Sequence, residues 1–263
     1  MTDPTDDLSG RAVLVVGASS GIGRALVIDA ARRGARVVAV ARRAERLREL
    51  VADAGDGAVV AVEADVTEVA DCDRLAAVAA DVLGPIDLMV YAAGSATLRR
   101  LADMTAPEWA RILATNVGGF NHTLAALVPD ALAAGAVVAA LSSEVVGRPR
   151  HGLAGYGVSK AALEESVRAW RLEQPQIRFC RVGIGATQPT DFGSEFDGEV
   201  LGPILDDWVR NGLLPTTFMD TDELAAVLAR LFGSMLAYPG IAVEDVLVRS
   251  PAPPMTDVDQ IPS

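Results

Sequence analysis

The chain has 263 residues, 51% of them hydrophobic, which suits one sizeable α/β domain with a real core and excludes a disordered chain. Its formal net charge of −12 argues against nucleic acid and anionic membranes as partners, because both require clustered Lys and Arg. Cys72 and Cys180 lie far apart and fit no metal spacing, so no metal is expected and both read as inert thiols of a reducing cytoplasm.

The acidic stretch Met1–Asp7 has none of the positive charge of a signal peptide. The longest nearly apolar run, Ala131 to Leu141, falls short of the roughly 20 residues a membrane span needs. A cytoplasmic location is the expectation. Ala12 to Val16 is apolar without alternation, as in a parallel strand buried on both faces. A glycine-rich turn, Gly17-Ala18-Ser19-Ser20-Gly21-Ile22-Gly23, leads into a helix from about Ile22 to Arg33. Further strands are predicted over Arg36 to Ala41, Val59 to Glu63, Leu88 to Tyr91, Ala136 to Ser142, Ile177 to Val182 and Val243 to Val248. Helices are predicted over Ala44 to Ala54, Glu68 to Leu83, Thr105 towards Ala133, Tyr156 to Glu173 and Asp220 to Gly233. The Thr105 helix opens with capping-box spacing to Glu108. This alternation predicts a doubly wound Rossmann fold: seven mostly parallel strands with helices on both faces and ligands at the strands' carboxyl ends. We read a single domain over 1–263, with its core from about 8 to 251 and a loose, proline-rich tail from Pro251.

The glycine turn follows a strand and opens a helix, so its backbone can approach a pyrophosphate and its free N–H groups can bind one. Its G-x-x-x-G-x-G spacing resembles that of the short-chain dehydrogenase/reductase family, where this turn holds the diphosphate of NAD or NADP. The second strand ends Val40-Ala41-Arg42-Arg43. Ala41 stands where the family's NAD-binding aspartate would be, and an arginine there suits a 2′-phosphate. Arg42, supported by Arg43, therefore points to NADP rather than NAD. The resemblance also implies cofactor contacts for Asp65-Val66 after the third strand and for Ala92-Ala93-Gly94 after the fourth. Tyr91 and Ala92 replace the family's two asparagines there.

Tyr156 and Lys160 stand four residues apart on one helix face, so a cation would lie beside a phenol and lower its pKa. Ser143 lies thirteen residues before Tyr156, the family's spacing for a substrate-orienting serine; Ser142 is the alternative. Asn116, awkward in the middle of a helix, matches the asparagine that holds a water beside the lysine. By resemblance, Ser143 orients the substrate oxygen, Tyr156 transfers the proton, Lys160 holds the ribose and tunes the phenol, and Asn116 completes the proton path. The implied activity is interconversion of a ketone or aldehyde with an alcohol. A silent dinucleotide sensor, or an epimerase or dehydratase on the same fold, is the alternative.

The likeness frays after the sixth strand. By resemblance Gly185 stands for the family's glycine there, and either Thr187 or Thr190 would face the cofactor. Segment 190–219 covers the substrate in the family. It carries Phe192, Phe196, Leu201, Leu205, Trp208 and Leu213, as an apolar lid or as helix core. Its acids Asp191, Glu195, Asp197, Glu199, Asp206 and Asp207 face one base, Arg210, which disfavours acidic carriers and favours a small neutral carbonyl or alcohol. Glu144 and His151 are candidates for the same pocket. A homodimer or homotetramer built on the long helices and the last strand is implied.

Overall fold

The first strand, β1 (Ala12–Val16), has no polar face because it has no solvent face. In the computed structural model, which describes residues 8–55, 57–194, 196 and 198–257, all five of its residues are buried. Val13 and Val15 enter one core layer, while Ala12, Leu14 and Val16 enter the other. There follow α1 (Gly21–Arg32), β2 (Arg36–Ala41), α2 (Ala44–Ala54), β3 (Val59–Glu63), α3 (Val69–Leu83) and β4 (Ile86–Tyr91). Next come α4 (Ala106–Leu113), α5 (Gly119–Leu127), β5 (Leu132–Ser143), α6 (Ala154–Glu173) and β6 (Arg178–Ile184). Two-residue strands β7 (Thr187–Gln188) and β8 (Met219–Asp220) bracket α7 (Gly198–Arg210); α8 (Thr221–Ala237) and β9 (Asp245–Val248) complete the core.

Seven strands form one sheet in the order β3-β2-β1-β4-β5-β6-β9, every pairing parallel. This is the doubly wound Rossmann plan predicted above. α1, α2 and α8 supply the buried apolar side chains of one face, and α3, α5 and α6 those of the other. Strand order reverses between β1 and β4, so the crevice at their carboxyl ends is the natural ligand site. A third apolar cluster caps that edge: Leu98, Val145, Leu153, Ile204, Trp208 and Met255 gather around Tyr156.

Three expectations change. The helix predicted from Thr105 towards Ala133 does not run through. Thr105 caps α4 in a full capping box with Glu108, but residues Ala114–Gly118 form a π turn and the helical run ends at Leu127. The Asn116 side chain bonds the backbone of Ser95, and Tyr91 Oη donates to the carbonyl of Thr115 at 2.6 Å. Each draws the helix out of α-helical register. Gly119 is required there, because a Cβ would collide with Tyr91 Oη and come 2.6 Å from Val66 Cγ2. Second, the covering segment, left open between apolar lid and helix core, holds a helix, α7, that buries Ile204, Trp208 and Val209. Third, the tail is not loose over its described part. Met255 N donates to Leu214 O at 2.8 Å, Thr216 N to Pro253 O at 2.8 Å, and Met255 is buried in the third cluster. An apolar side chain with a cavity to fill outweighs the chain entropy of a proline-rich end. Residues 258–263 of that tail lie outside the described residues.

No helix among the described residues is long and apolar enough to cross a membrane.

Candidate active site

The glycine turn is folded back onto the sheet. Gly17 N and Ala18 N donate to Val40 O at 2.8 and 3.0 Å, and Ala92 N donates to Val16 O at 2.7 Å. Gly17 has φ +92°, and a Cβ on it would collide with Ala93 N and stand 2.6 Å from Ala92 C. Ala92 and Ala93 therefore floor the turn. Ser20, the N-cap of α1, makes no side-chain cap, and the first turn holds no acid. The N–H groups of Gly21, Ile22 and Gly23 thus keep the positive end of the helix dipole open to an anion.

Over this turn lies Arg43. Its Nε and Nη2 donate to Ser19 Oγ at 3.1 and 2.8 Å, and Nη2 also donates to Ser20 Oγ at 2.8 Å. Arg42 turns the other way, standing 3.5 Å from Asp65 Oδ2 and largely exposed. Asp65 accepts from Thr67 N and Oγ1 at 3.0 and 2.8 Å. Burial raises the Asp65 pKa, but the Thr67 bonds and Arg42 together hold it below the usual value. Val66 is buried in the core. So Arg43, expected as a support, is the arginine that meets the turn, and Arg46 joins it from the first turn of α2: both bond Asp191.

At the ends of β5 and α6 the expected catalytic residues meet. Tyr156 is buried and hydrogen-bonds Ser143. Ser142 is committed elsewhere, donating to the buried Glu164 Oε1 at 2.6 Å. Lys160 Nζ donates to Leu141 O at 2.8 Å. Asn116 Nδ2 donates to Ser159 Oγ at 2.8 Å and to Ser95 O at 2.9 Å, while its Oδ1 accepts from Ser95 N at 2.7 Å. A Cβ on Gly94 would stand 3.6 Å from both Asn116 Oδ1 and Lys160 Nζ, so this glycine keeps the two polar groups next to open backbone.

The helix spacing predicts a lowered phenol pKa, and the fold reverses that sign. Burial pushes Tyr156 up to about 12, with the Ser143 bond opposing. Lys160 stands 5.8 Å from the ring centroid with its ammonium turned to a carbonyl. Burial brings Lys160 itself down to about 8, although Glu164 favours its charge. Desolvation thus dominates at both groups.

The remaining candidates sort by place. Thr187 Oγ1 donates to Gly185 O at 3.0 Å, while Thr190 lies over Gly21 at the turn. Gly185 is crowded by Val248 and Arg249. Glu144 forms a part-buried ion pair with Arg150, whose guanidinium lies 5.8 Å from the Trp208 ring, and exposed His151 bonds Asp207 of α7 at 2.6 Å, so both lead to α7. Ile204 and Trp208 are buried in the third apolar cluster, with Leu201, Leu205, Leu213 and Phe196 packed against it, whereas Phe192 lies 5.2 Å from the Tyr156 ring. Glu195 and Asp197 lie outside the described residues. Sequence reasoning missed Glu164, Arg46, Ser95 and Ser159. Extending the Tyr156–Lys160 face one turn finds Glu164, and the i, i+3 spacing from Arg43 finds Arg46. Nothing in the sequence singles out Ser95.

A glycine turn at a strand-order reversal, beside a Ser–Tyr–Lys–Asn cluster, defines a dinucleotide-dependent oxidoreductase. Residues 11–199 match the family model "short chain dehydrogenase", and the chain belongs to that family. It is 36% identical over 203 residues to the glycine betaine reductase ATRR of Emericella nidulans, covering 75% of this chain but 16% of that much longer protein. It is 29% identical to the uncharacterized oxidoreductase Lin0452 of Listeria innocua, covering 84% and 90% of the two chains. Among solved structures, a short-chain dehydrogenase/reductase (glucose/ribitol dehydrogenase) from Brucella melitensis superposes with TM-score 0.80 at 26% identity, over 92% of this chain and 96% of the other. A Burkholderia cenocepacia short-chain dehydrogenase in complex with NADP gives TM-score 0.79 at 24% identity, over 92% and 97%.

Proposed function

We propose that the chain is an NADP(H)-dependent oxidoreductase interconverting a small neutral carbonyl compound and its alcohol, with Tyr156 as the acid–base group. The observation that carries this reading is the juxtaposition of Arg43 and Arg46 at an uncapped helix N-terminus with the Ser143–Tyr156 pair at the neighbouring strand ends.

The residues present fit the cofactor. The turn Gly17–Gly23 would hold the diphosphate, Arg43 and Arg46 the 2′-phosphate, Arg42, Asp65 and Val66 the adenine end, and Lys160 the nicotinamide ribose, with Ala92–Gly94, Gly185, Thr187 and Thr190 along the groove. When bound, the nicotinamide supplies or accepts the hydride. Ser143 donates to the substrate oxygen and orients it. At neutral pH the buried Tyr156 carries its proton, so it stands ready to donate from Oη to an oxygen that gains charge. The Lys160 ammonium steadies the phenolate left behind, and Asn116, fixed by Ser95 and Ser159, lines the route by which the proton is restored. This is the charge state that the reduction direction uses. The acids of α7, Glu199, Asp206 and Asp207, select against anionic substrates.

The test is a panel of neutral ketones and aldehydes assayed with NADPH and with NADH. The reading predicts kcat/KM at least about tenfold higher with NADPH, lost in Arg43→Ala, since one charged contact to a phosphate is worth roughly 1.5–3 kcal/mol. Equal values with the two cofactors in the wild type would remove the NADP assignment.

A further inference from the structure

The stretch between β7 and α7 lies across the groove assigned above to the dinucleotide. Thr190 sits on the glycine turn, its Cβ 3.4 Å from where a Cβ on Gly21 would be. Asp191 Oδ2 accepts from Arg43 Nη1 at 2.7 Å and from Arg46 Nη1 at 2.9 Å, and the carboxylate also takes a bond from Ser20. Phe192 packs its ring against Tyr156, with centroids 5.2 Å apart, and is itself backed by Phe196 at 5.5 Å. Three consecutive residues thus touch the turn, the arginines and the tyrosine.

We propose that residues 190–192 are a strap in which Asp191 is an internal counter-anion: it occupies the arginine contacts a 2′-phosphate would take, and a ligand that brings that phosphate exchanges it out and frees the groove. This rests on the assignment of the 2′-phosphate to Arg43 and Arg46. The chemistry of the exchange is symmetrical. A carboxylate and a phosphate monoester are both oxyanions, and both match the guanidinium fork. The pair is half-exposed, with Arg43 at 45%, Arg46 at 47% and Asp191 at 37% side-chain exposure. A half-exposed ion pair holds weakly and is open to a competing anion. A phosphate monoester brings more charge and three acceptor oxygens, so it displaces a single carboxylate. A nucleotide without that phosphate gains nothing at the arginines and leaves Asp191 in place. Phe192 rides on the same strap, so release of Asp191 also uncovers the Tyr156 ring.

Calorimetric titration with 2′,5′-ADP and with 5′-AMP tests the strap, using the full chain, Asp191→Asn and Arg43→Ala. Asp191→Asn keeps the shape and removes the charge. It is expected to tighten 2′,5′-ADP by about fivefold, the worth of one exposed ion pair, and to change 5′-AMP by less than about twofold. Hydrogen exchange of the amides of Asp191–Ser194 in the wild type is expected to speed up with 2′,5′-ADP and to stay constant with 5′-AMP. Unchanged or weakened 2′,5′-ADP binding in Asp191→Asn overturns the strap, as does slower exchange on binding. Arg43→Ala separates the two readings. If it leaves 2′,5′-ADP affinity intact, the phosphate assignment itself fails; if it weakens binding while Asp191→Asn changes nothing, only the strap fails.

Discussion

At Lys160 the cost of burial and the needs of chemistry meet. The ammonium is surrounded by Leu141 O, the Tyr156 ring, the Asn116 amide and, one turn on, Glu164. Its folded pKa of about 8 lies below the ordinary value of 10.5. Because the proposed reduction needs the cation, kcat/KM for carbonyl reduction should stay level below about pH 8 and fall above it. A profile that stays level past about pH 10 would contradict this role. Linkage supplies a second check. Between pH 8 and 10.5 the folded state binds fewer protons at Lys160 than the unfolded state, so this residue makes stability rise with pH across that window, by about 3 kcal/mol in all. Tyr156 acts oppositely above pH 10, where its raised pKa makes the folded state hold the extra proton. Urea titrations of wild type and Lys160→Met at pH 7 and pH 9.5 isolate the lysine: the difference between the two proteins should shift towards the wild type at the higher pH.

At the scale of elements, Glu164 ties three of them together. It is almost fully buried on α6, accepts from Ser142 Oγ on β5 and from Arg181 Nη1 on β6 at 3.0 Å, and Arg181 passes the link to Asp245 of β9 at 2.6 Å. Arg181→Ala would leave the carboxylate with the Ser142 bond, the Lys160 ammonium one turn away and a distant Arg168, and should cost about 3 kcal/mol of unfolding free energy. A loss below about 1 kcal/mol in urea denaturation would show the network to be dispensable. Much at this scale was legible beforehand. β1 through β4 and α6 followed from unbroken apolar runs and helical spacing, and the Thr105 capping box was readable residue by residue. The π turn was not, because it depends on Tyr91 and Ser95, which reach it from a strand and a loop distant in sequence. The sign of the phenol pKa shift is hidden from the sequence for a similar reason. Spacing reports that two groups are neighbours, but burial, which decides the sign, belongs to the assembled core.

Across the whole molecule, several apolar side chains face solvent on one chain: Val158 and Leu172 of α6, Val227 of α8, and Leu247 of β9, an edge strand of the sheet. Ala161 of α6 is also exposed and small enough for close helix approach. We expect self-association through these surfaces, as a dimer or tetramer. Light scattering behind size exclusion should give at least twice the chain mass, and Leu247→Arg with Val227→Arg should reduce it. A monomer throughout the micromolar range would refute this. The same scale explains the tail: Met255 packs into the lid cluster with Leu214, Trp208 and Leu98, so the end of the described chain helps to hold the cover over Tyr156.

Proton transfer by Tyr156 is tested most simply by one substitution. Tyr156→Phe keeps the ring that packs against Phe192 and removes only the hydroxyl. Turnover should be measured by reduced-nicotinamide absorbance on the best ketone of the panel, alongside NADPH affinity by fluorescence. A loss of about 10²–10⁴-fold in kcat is expected, the usual worth of a general acid, with NADPH affinity unchanged within about twofold. Wild-type turnover in Tyr156→Phe would contradict it.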